Sequence, residues 1–350
     1  MTIKEVARLA GVSPAAVSRY LNGGPLSKDK KERVAKAIEE TGYRPNLMAK
    51  TMRTGKLRQV GIIVPRIMSE SVHRMMDGIA EELLEKGYLT VLGYSDSSRD
   101  RELQYLDILQ SSRVAGIILM ATTLTDIKKS SLESCSVPLV ITGQNFRGLP
   151  CVFHDDFNAV RELTALMIRK GAKRIVYIGV LEEDKAAGLA RREGCQEALR
   201  SAGFDADNMP RRIADFEAQS GYRAMLELLA ENPDLDGVIC ATDIIAHGAM
   251  KALKEKGRRI PEDVMIAGVG DNWADLISTP TLTTAMLHQK RCGLEAAKLL
   301  LRLIEEEENK SGSKEDAPHK SIRLGYRIIE RDSLRTETLK KQEGEEWVEN

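Results

Sequence analysis

The fold class this sequence predicts is a small N-terminal all-α helix-turn-helix head, followed by an α/β core of two doubly wound parallel-sheet lobes. Three observations predict it. Two short helical segments flank a turn at Gly11, the sequence form of a helix-turn-helix. From Val60 onward, apolar strands alternate with amphipathic helices, the texture of parallel sheets covered on both faces. That alternation runs for roughly 270 residues, more than one sheet holds comfortably, so two similar lobes are expected.

In the head, Thr2 and Glu5 stand at capping-box spacing before a first helix over Ile3–Leu9, with Val6 and Leu9 expected inward. Ser13 is a good N-cap, Pro14 suits the first position of a second helix, and Val17 and Leu21 face inward. Asn22-Gly23-Gly24-Pro25 breaks the chain. Ser27 then caps a third helix, Val34 and Ile38 complete the small core, and Gly42 ends it. The head is assigned residues 1–45. Residues 46–58 read as a hinge helix (46–53) and a linker. A lone helix of about eight residues is marginal in water, so this one is expected to order only against a partner: DNA and a second copy of itself.

The core is assigned residues 59–335. Strands are predicted at Val60–Val64, Tyr88–Leu92, Val114–Met120, Pro138–Ile141, Ile175–Gly179, Gly237–Ala241, Val264–Gly268 and Leu282–Ala285. Helices are predicted near Val72–Glu85, Arg101–Gln110, Asn158–Lys170, Gly188–Ser201, Ser220–Ala230, Ile244–Lys256 and Lys290–Glu307. The first lobe is expected to take 59–158 and 288–318, the second 159–287 and 319–335, with 336–350 a charged tail. Ligands of such sheets sit at the carboxyl ends of the strands, which here means the cleft between the lobes.

Charge is divided unevenly. Lysine plus arginine and aspartate plus glutamate number 52 each, a net of zero, yet residues 1–58 hold 13 basic against 5 acidic side chains. A head at +8 on a body at −8 is suited to placing only the head on phosphate. The five cysteines are scattered, without CxxC or metal spacing, and read as small buried residues in a reducing compartment. Met1 runs straight into a helix, and no stretch reaches the roughly 18 apolar residues of a membrane span. A cytoplasmic, nucleoid-associated location is therefore expected. Neither GxxxxGK[ST] nor GxGxxG occurs, and the histidines lack HExxH spacing. His154-Asp155-Asp156 follows a strand and is not read as catalytic. No enzyme activity, cofactor or metal is expected.

Thr2-Ile3-Lys4-Glu5-Val6-Ala7, Gly11-Val12-Ser13, Ala16-Val17-Ser18-Arg19, Asn22 and Gly42-Tyr43-Arg44-Pro45-Asn46 strongly resemble the lactose/galactose-repressor family. The resemblance continues through Val114-Ala115-Gly116-Ile117-Ile118, Val137-Pro138-Leu139-Val140, Ala241-Thr242-Asp243, Leu282-Thr283-Thr284 and Ile328-Ile329-Glu330-Arg331. It implies a core like periplasmic sugar-binding proteins, a homodimer, and a near-palindromic double-stranded DNA operator. It also implies a regulator, expected to repress carbohydrate-utilisation genes under control of a sugar or sugar-phosphate effector.

Carried over by resemblance, Pro14, Ala15 and Arg19 face base edges. A guanidinium can bond bidentately to guanine O6 and N7, while Pro14 and Ala15 offer apolar contact alone. Thr2, Ser13, Ser18, Asn22, Tyr43 and Asn46 look like phosphate and sugar contacts. Met52 stands where the family usually has a leucine that wedges into the minor groove, with the small Ala49 beside it.

In the cleft, Arg191 aligns with an arginine that binds effector across much of the family, and Thr242 with a polar effector contact. Gly270 replaces a common aspartate, leaving Asp271 as the candidate substitute, and Gln144 stands where some relatives have aspartate. Pro65-Arg66-Ile67-Met68-Ser69-Glu70-Ser71 is similar to the trehalose-repressor branch, and an arginine with two serines at a strand end suits an anion. Arg66, Ser69, Ser71 and Arg191 thus favour a phosphorylated disaccharide. A purine or protein corepressor, an activator, and more remotely a sugar-binding transport protein remain as alternatives. Inducer and corepressor logic differ in which lobe arrangement binds ligand better, and no short motif reports that.

Overall fold

The computed structural model describes residues 2–21, 23–43, 57–123, 126–309 and 321–336. The chain divides into two compact units, 1–58 and 59–350.

The first unit folds as three helices, α1 (Ile3–Leu9), α2 (Pro14–Leu21) and α3 (Lys28–Thr41). Thr2 and Glu5 close a reciprocal capping box on α1. Gly11 turns the chain at φ +61° and Gly42 ends α3 at φ +60°, left-handed conformations that glycine adopts without strain. Val6, Val17 and Val34 are fully buried at the centre of the core. Leu9, expected to face inward, is instead 54% exposed. The buried stripe of α1 and its cap is Val6, Ala7 and Ala10, because small side chains let the three helices approach closely on that side.

The second unit contains two six-stranded sheets. The first runs in the order β11-β5-β4-β3-β1-β2. Its strands are β1 (Leu57–Val64), β2 (Leu89–Tyr94), β3 (Val114–Met120), β4 (Leu139–Thr142), β5 (Cys151–His154) and β11 (Ser321–Leu324). Alternate residues serve opposite faces, as the two-residue period of a strand requires. Val60, Ile62 and Val64 pack with helices α4 (Glu70–Glu85) and α12 (Gln289–Glu308). Ile63, Ile117 and Leu119 pack with α5 (Arg99–Ser111) and, through Leu132, with α6 (Asp126–Glu133).

The second sheet runs β12-β10-β9-β8-β6-β7. It contains β6 (Ile175–Gly179), β7 (Arg211–Ile213), β8 (Gly237–Cys240), β9 (Met265–Val269), β10 (Thr283–Leu287) and β12 (Tyr326–Ile329). Only β12 runs antiparallel to its neighbour among the described ladders. Around it lie α7 (Asp156–Arg169), α8 (Arg191–Ser201), α9 (Ala218–Glu231), α10 (Asp243–Glu255) and the short α11 (Ala274–Ile277); one wide turn, Lys185–Ala190, leads into α8.

Residues 319–335 were expected to belong wholly to the second lobe. Ser321–Leu324 instead pairs with Cys151–His154 in the first sheet, and only Tyr326–Ile329 joins the second. The chain thus changes lobes at Gly325, as it does between His154 and Asp156 and between Leu287 and Gln289. A four-residue strand is too short for its own pattern to say which sheet it enters.

Each lobe brings two helices together at reciprocal glycines. A Cβ on Gly78 would lie 2.0 Å from the Lys290 carbonyl oxygen, and one on Gly293 would lie 2.0 Å from that of Met75. In the other lobe, Gly248 meets the Ala218 carbonyl at 1.9 Å and Gly221 that of Ile245 at 2.4 Å. Backbone contact this close excludes any side chain.

Candidate nucleic-acid face and effector cleft

In the head, α2 buries Ala16 and Val17 and turns Pro14, Ala15 and Arg19 outward, with Ser18 half-buried beside them. Ser13 caps the helix, its Oγ accepting from Ala16 N at 3.3 Å. Thr2 is held in its capping box, and Tyr43 packs partly against the head's core. Asn22, Asn46, Ala49 and Met52, with the expected hinge helix, lie outside the described residues.

In the core, side chains that follow the carboxyl ends of strands in the two sheets meet one another, and the space they border is the candidate cleft. Gln144, just after β4, donates from Nε2 to Asp184 Oδ1 of the other lobe at 2.7 Å and to the Thr122 carbonyl at 3.0 Å. Asp184 also accepts from the backbone N–H groups of Ala186 and Ala187. Burial raises its carboxyl above the usual range against these donors. Gln144 Oε1 and Thr122 Oγ1 are buried without a hydrogen-bond partner among the described residues. Polar atoms left so at a strand-end cleft suit a hydroxyl-bearing ligand.

A second bridge joins Arg66, after β1, to Phe216, before α9: the guanidinium carbon stands 3.6 Å from the ring centroid. Arg66 also donates to Ser97 Oγ at 3.2 Å. Burial lowers its pKa from the ordinary arginine value, with Asp184 acting in the opposite sense. A third bridge is made by α4, where Arg74 donates to the Asp271 carbonyl at 2.7 Å and Glu70 accepts from Trp273 N at 3.4 Å.

The other expected cleft residues fall as follows. Ser69 caps α4, accepting from Val72 N, and Ser71 is half-buried in its first turn. Thr242 caps α10. Asp271, at φ +58°, pairs through Oδ1 with Arg331 at 2.5 Å. Arg191 is buried; its Nε reaches Asp156 Oδ1 at 2.7 Å and its Nη1 the Ala241 carbonyl. Each nitrogen of the guanidinium expected to fork onto an effector thus already has a protein partner, Nη2 also meeting Asp156 Oδ1, which leaves two of its five N–H donors for a ligand. Arg192 pairs with Glu182 at 2.8 Å. Asp155 caps α7 while Asp156 holds Arg191, so this acidic pair is used structurally.

Behind the Asp271 segment lie two fully buried carboxyl groups, Asp243 and Asp275. Asp243 accepts from Thr284 Oγ1 at 2.7 Å and from Asn272 N at 3.3 Å; Asp275 meets His247 Nε2 at 2.8 Å. Burial, then the facing Asp275, raises the Asp243 pKa well above the carboxylate range. Phe216, Asp184, Glu70 and Arg74 were missed in the sequence. Phe216 carried one usable signal, being one of only five phenylalanines and placed just ahead of a helix.

Among the described residues no helix is long and apolar enough to cross a membrane. The family model described as bacterial regulatory proteins, lacI family, matches residues 2–46; the one for a periplasmic binding protein-like domain matches 164–334. The chain is 31% identical over 335 residues to the HTH-type transcriptional regulator RegA of Clostridium saccharobutylicum, covering 95% of this chain and 98% of that protein. It is 30% identical over 305 residues to the sucrose operon repressor of Staphylococcus xylosus, covering 87% and 93%. Among solved structures, a complex of the regulator CelR with cellobiose matches with TM-score 0.72 at 28% identity, over 95% of this chain and 99% of that one. The lac repressor dimer bound to operator and an anti-inducer matches with TM-score 0.85 over 95% and 98%; at 21% identity this likeness concerns the fold.

Proposed function

Because this chain belongs to the lacI family of bacterial regulatory proteins, we propose that it is a DNA-binding repressor of carbohydrate-utilisation genes, controlled by a sugar or sugar phosphate in its interlobe cleft. The observation that carries the reading is the division of α2 into a buried side, Ala16 and Val17, and an outward side bearing Pro14, Ala15 and Arg19. On that side Arg19 reads a base edge, with Ser13, Ser18, Thr2 and Tyr43 positioned for the backbone. The cellobiose of the CelR complex and the name of the sucrose operon repressor support a carbohydrate effector. So do the orphaned Gln144 Oε1 and Thr122 Oγ1. For a phosphate ester the weight falls on Arg66, since Arg191 is occupied by Asp156.

The reading includes a homodimer. The first sheet ends at β2, which exposes Leu89 and Leu92, and α11 exposes Leu276 and Ile277. Apolar side chains grouped at an edge and on a short helix favour a self-complementary interface. Light scattering on the full chain checks this, a monomer at micromolar concentration being the contrary result.

The function is tested by selecting binding sites from randomised duplex DNA, then measuring affinity with and without cellobiose, sucrose, ribose, trehalose 6-phosphate and sucrose 6-phosphate. A two-fold symmetric site and a tenfold or larger response to at least one carbohydrate are expected, and the sign of that response distinguishes inducer from corepressor. Arg19→Ala should cost about 1–3 kcal/mol of site preference. Equal affinity for selected and scrambled DNA would refute the reading.

A further inference from the structure

Four other arginines around the cleft have a carboxylate partner: Arg74 pairs with Glu70, Arg191 with Asp156, Arg192 with Glu182 and Arg331 with Asp271. Arg66 differs. Among the described residues it forms no ion pair, and its guanidinium is held by the Ser97 hydroxyl and by the face of Phe216, 3.6 Å to the ring centroid. The two residues belong to different lobes, so the cation covers an aromatic face that points into the cleft.

We propose that Arg66 is a displaceable cover on Phe216, which makes the cleft select anionic ring ligands over neutral ligands of the same shape. The proposal rests on the effector reading of the cleft. The ring face under the guanidinium is the flat apolar surface on which the C–H face of a sugar, or another ring, would stack. To take that seat a ligand must move the guanidinium off it. A neutral ligand then leaves a partly buried cation without its aromatic partner and with no carboxylate in ion-pair contact, Asp184 acting on it only from a distance, an unfavourable state in low dielectric. A ligand carrying phosphate or carboxylate accepts the released guanidinium in a charge-assisted, bidentate contact and offsets the loss. Charge selection then follows from competition for one ring face, without a dedicated anion pocket.

The test uses the full-length protein in two arms. In the first, the F216W substitution is placed in a chain also carrying W273F and W347F, and acrylamide quenching is measured with and without R66A. Removing the cover should raise the quenching constant at least twofold; an unchanged constant overturns the proposal, whether or not any sugar binds. In the second arm, titration calorimetry compares trehalose with trehalose 6-phosphate, and glucose with glucose 6-phosphate, on wild type, R66A and R66Q. Wild type should prefer the esters at least tenfold. Both variants should bind the neutral sugars at least threefold more tightly than wild type does, and should lose the preference. Neutral-sugar affinity that is unchanged or weaker in both variants overturns the proposal alone. Failure of all four compounds to bind any of the proteins overturns the proposal, and the DNA-affinity response to cellobiose, sucrose or ribose decides separately whether the effector is a sugar. Thermal melts confirm that the variants are folded.

Discussion

Replacing Gly293 by alanine sets two physical effects against each other. On an exposed helix the change stabilises by about 1 kcal/mol, because alanine has the higher helix propensity. Here the new Cβ would lie 2.0 Å from the Met75 carbonyl oxygen and 2.8 Å from its carbon, whereas ordinary contact begins at 3.4 Å. Helices α4 and α12 would have to part by about 1.4 Å, since a backbone carbonyl cannot swing aside as a side-chain tip can. A gap of 0.5–1 Å already forfeits roughly a quarter to a half of the dispersion energy of the contacts it opens. The contacts at stake are those of Ile79, Leu83, Ala296, Ala297 and Leu300, all fully buried. Overpacking usually costs about 1–3 kcal/mol, and this position belongs at the upper end. After the propensity gain, a net loss of about 2 kcal/mol is expected. Urea unfolding of the full chain, followed by circular dichroism, reads this as a lower midpoint for the core's transition at unchanged slope. Gly248→Ala, facing the Ala218 carbonyl at 1.9 Å in the other lobe, should behave alike. If both variants are as stable as the parent or more so, the crossings tolerate side chains and the close-approach account is refuted.

Three other perturbations have outcomes set by the structure. The Tyr177 hydroxyl is buried with no hydrogen-bond partner among the described residues, and burial raises its pKa. Tyr177→Phe should therefore leave stability unchanged or raise it by about 1 kcal/mol, and a clear drop in melting temperature would reveal a partner for the hydroxyl. Arg191→Met leaves Asp156 buried and unpaired, so a loss of about 3–5 kcal/mol is expected; adding Asp156→Asn should recover much of it. Additive losses in denaturant unfolding would contradict the pairing. Asp243 holds its proton more tightly folded than unfolded, so the stability it contributes is full below the unfolded carboxyl pKa of about 4. That contribution is lost as pH rises through the raised folded value. The urea midpoint of wild type should thus fall relative to that of Asp243→Asn between pH 4 and 8, and parallel profiles would count against the shift.

Much of this architecture was legible along the chain. The alternation around Val114–Met120 gave a strand with those bounds, and the helix read at Ile244–Lys256 is observed at Asp243–Glu255. Thr2 and Glu5 announced their capping box by spacing alone. Other features were not visible. The strands Arg211–Ile213, Ser321–Leu324 and Tyr326–Ile329 are too short to show a period. The last three residues of the wide turn Lys185–Ala190 were read as part of the helix that follows it. At the cleft, the sequence pointed to Arg66, Gln144 and Arg191 as side chains worth attention, but not to what they touch.

The family resemblance placed Pro14, Ala15 and Arg19 outward; the sequence by itself determined the basic head, the capping of its helices and the alternating core. These are local matters of charge, capping and period, read from residues a few positions apart. Only the tertiary structure decided that Arg191 belongs to Asp156, that Arg66 lies on Phe216, and that Gly78 and Gly293 bring two helices into backbone contact. Each of those facts joins residues 35 to 215 positions apart. A side chain's availability depends on which neighbour the fold has already given it, and no local pattern records that choice.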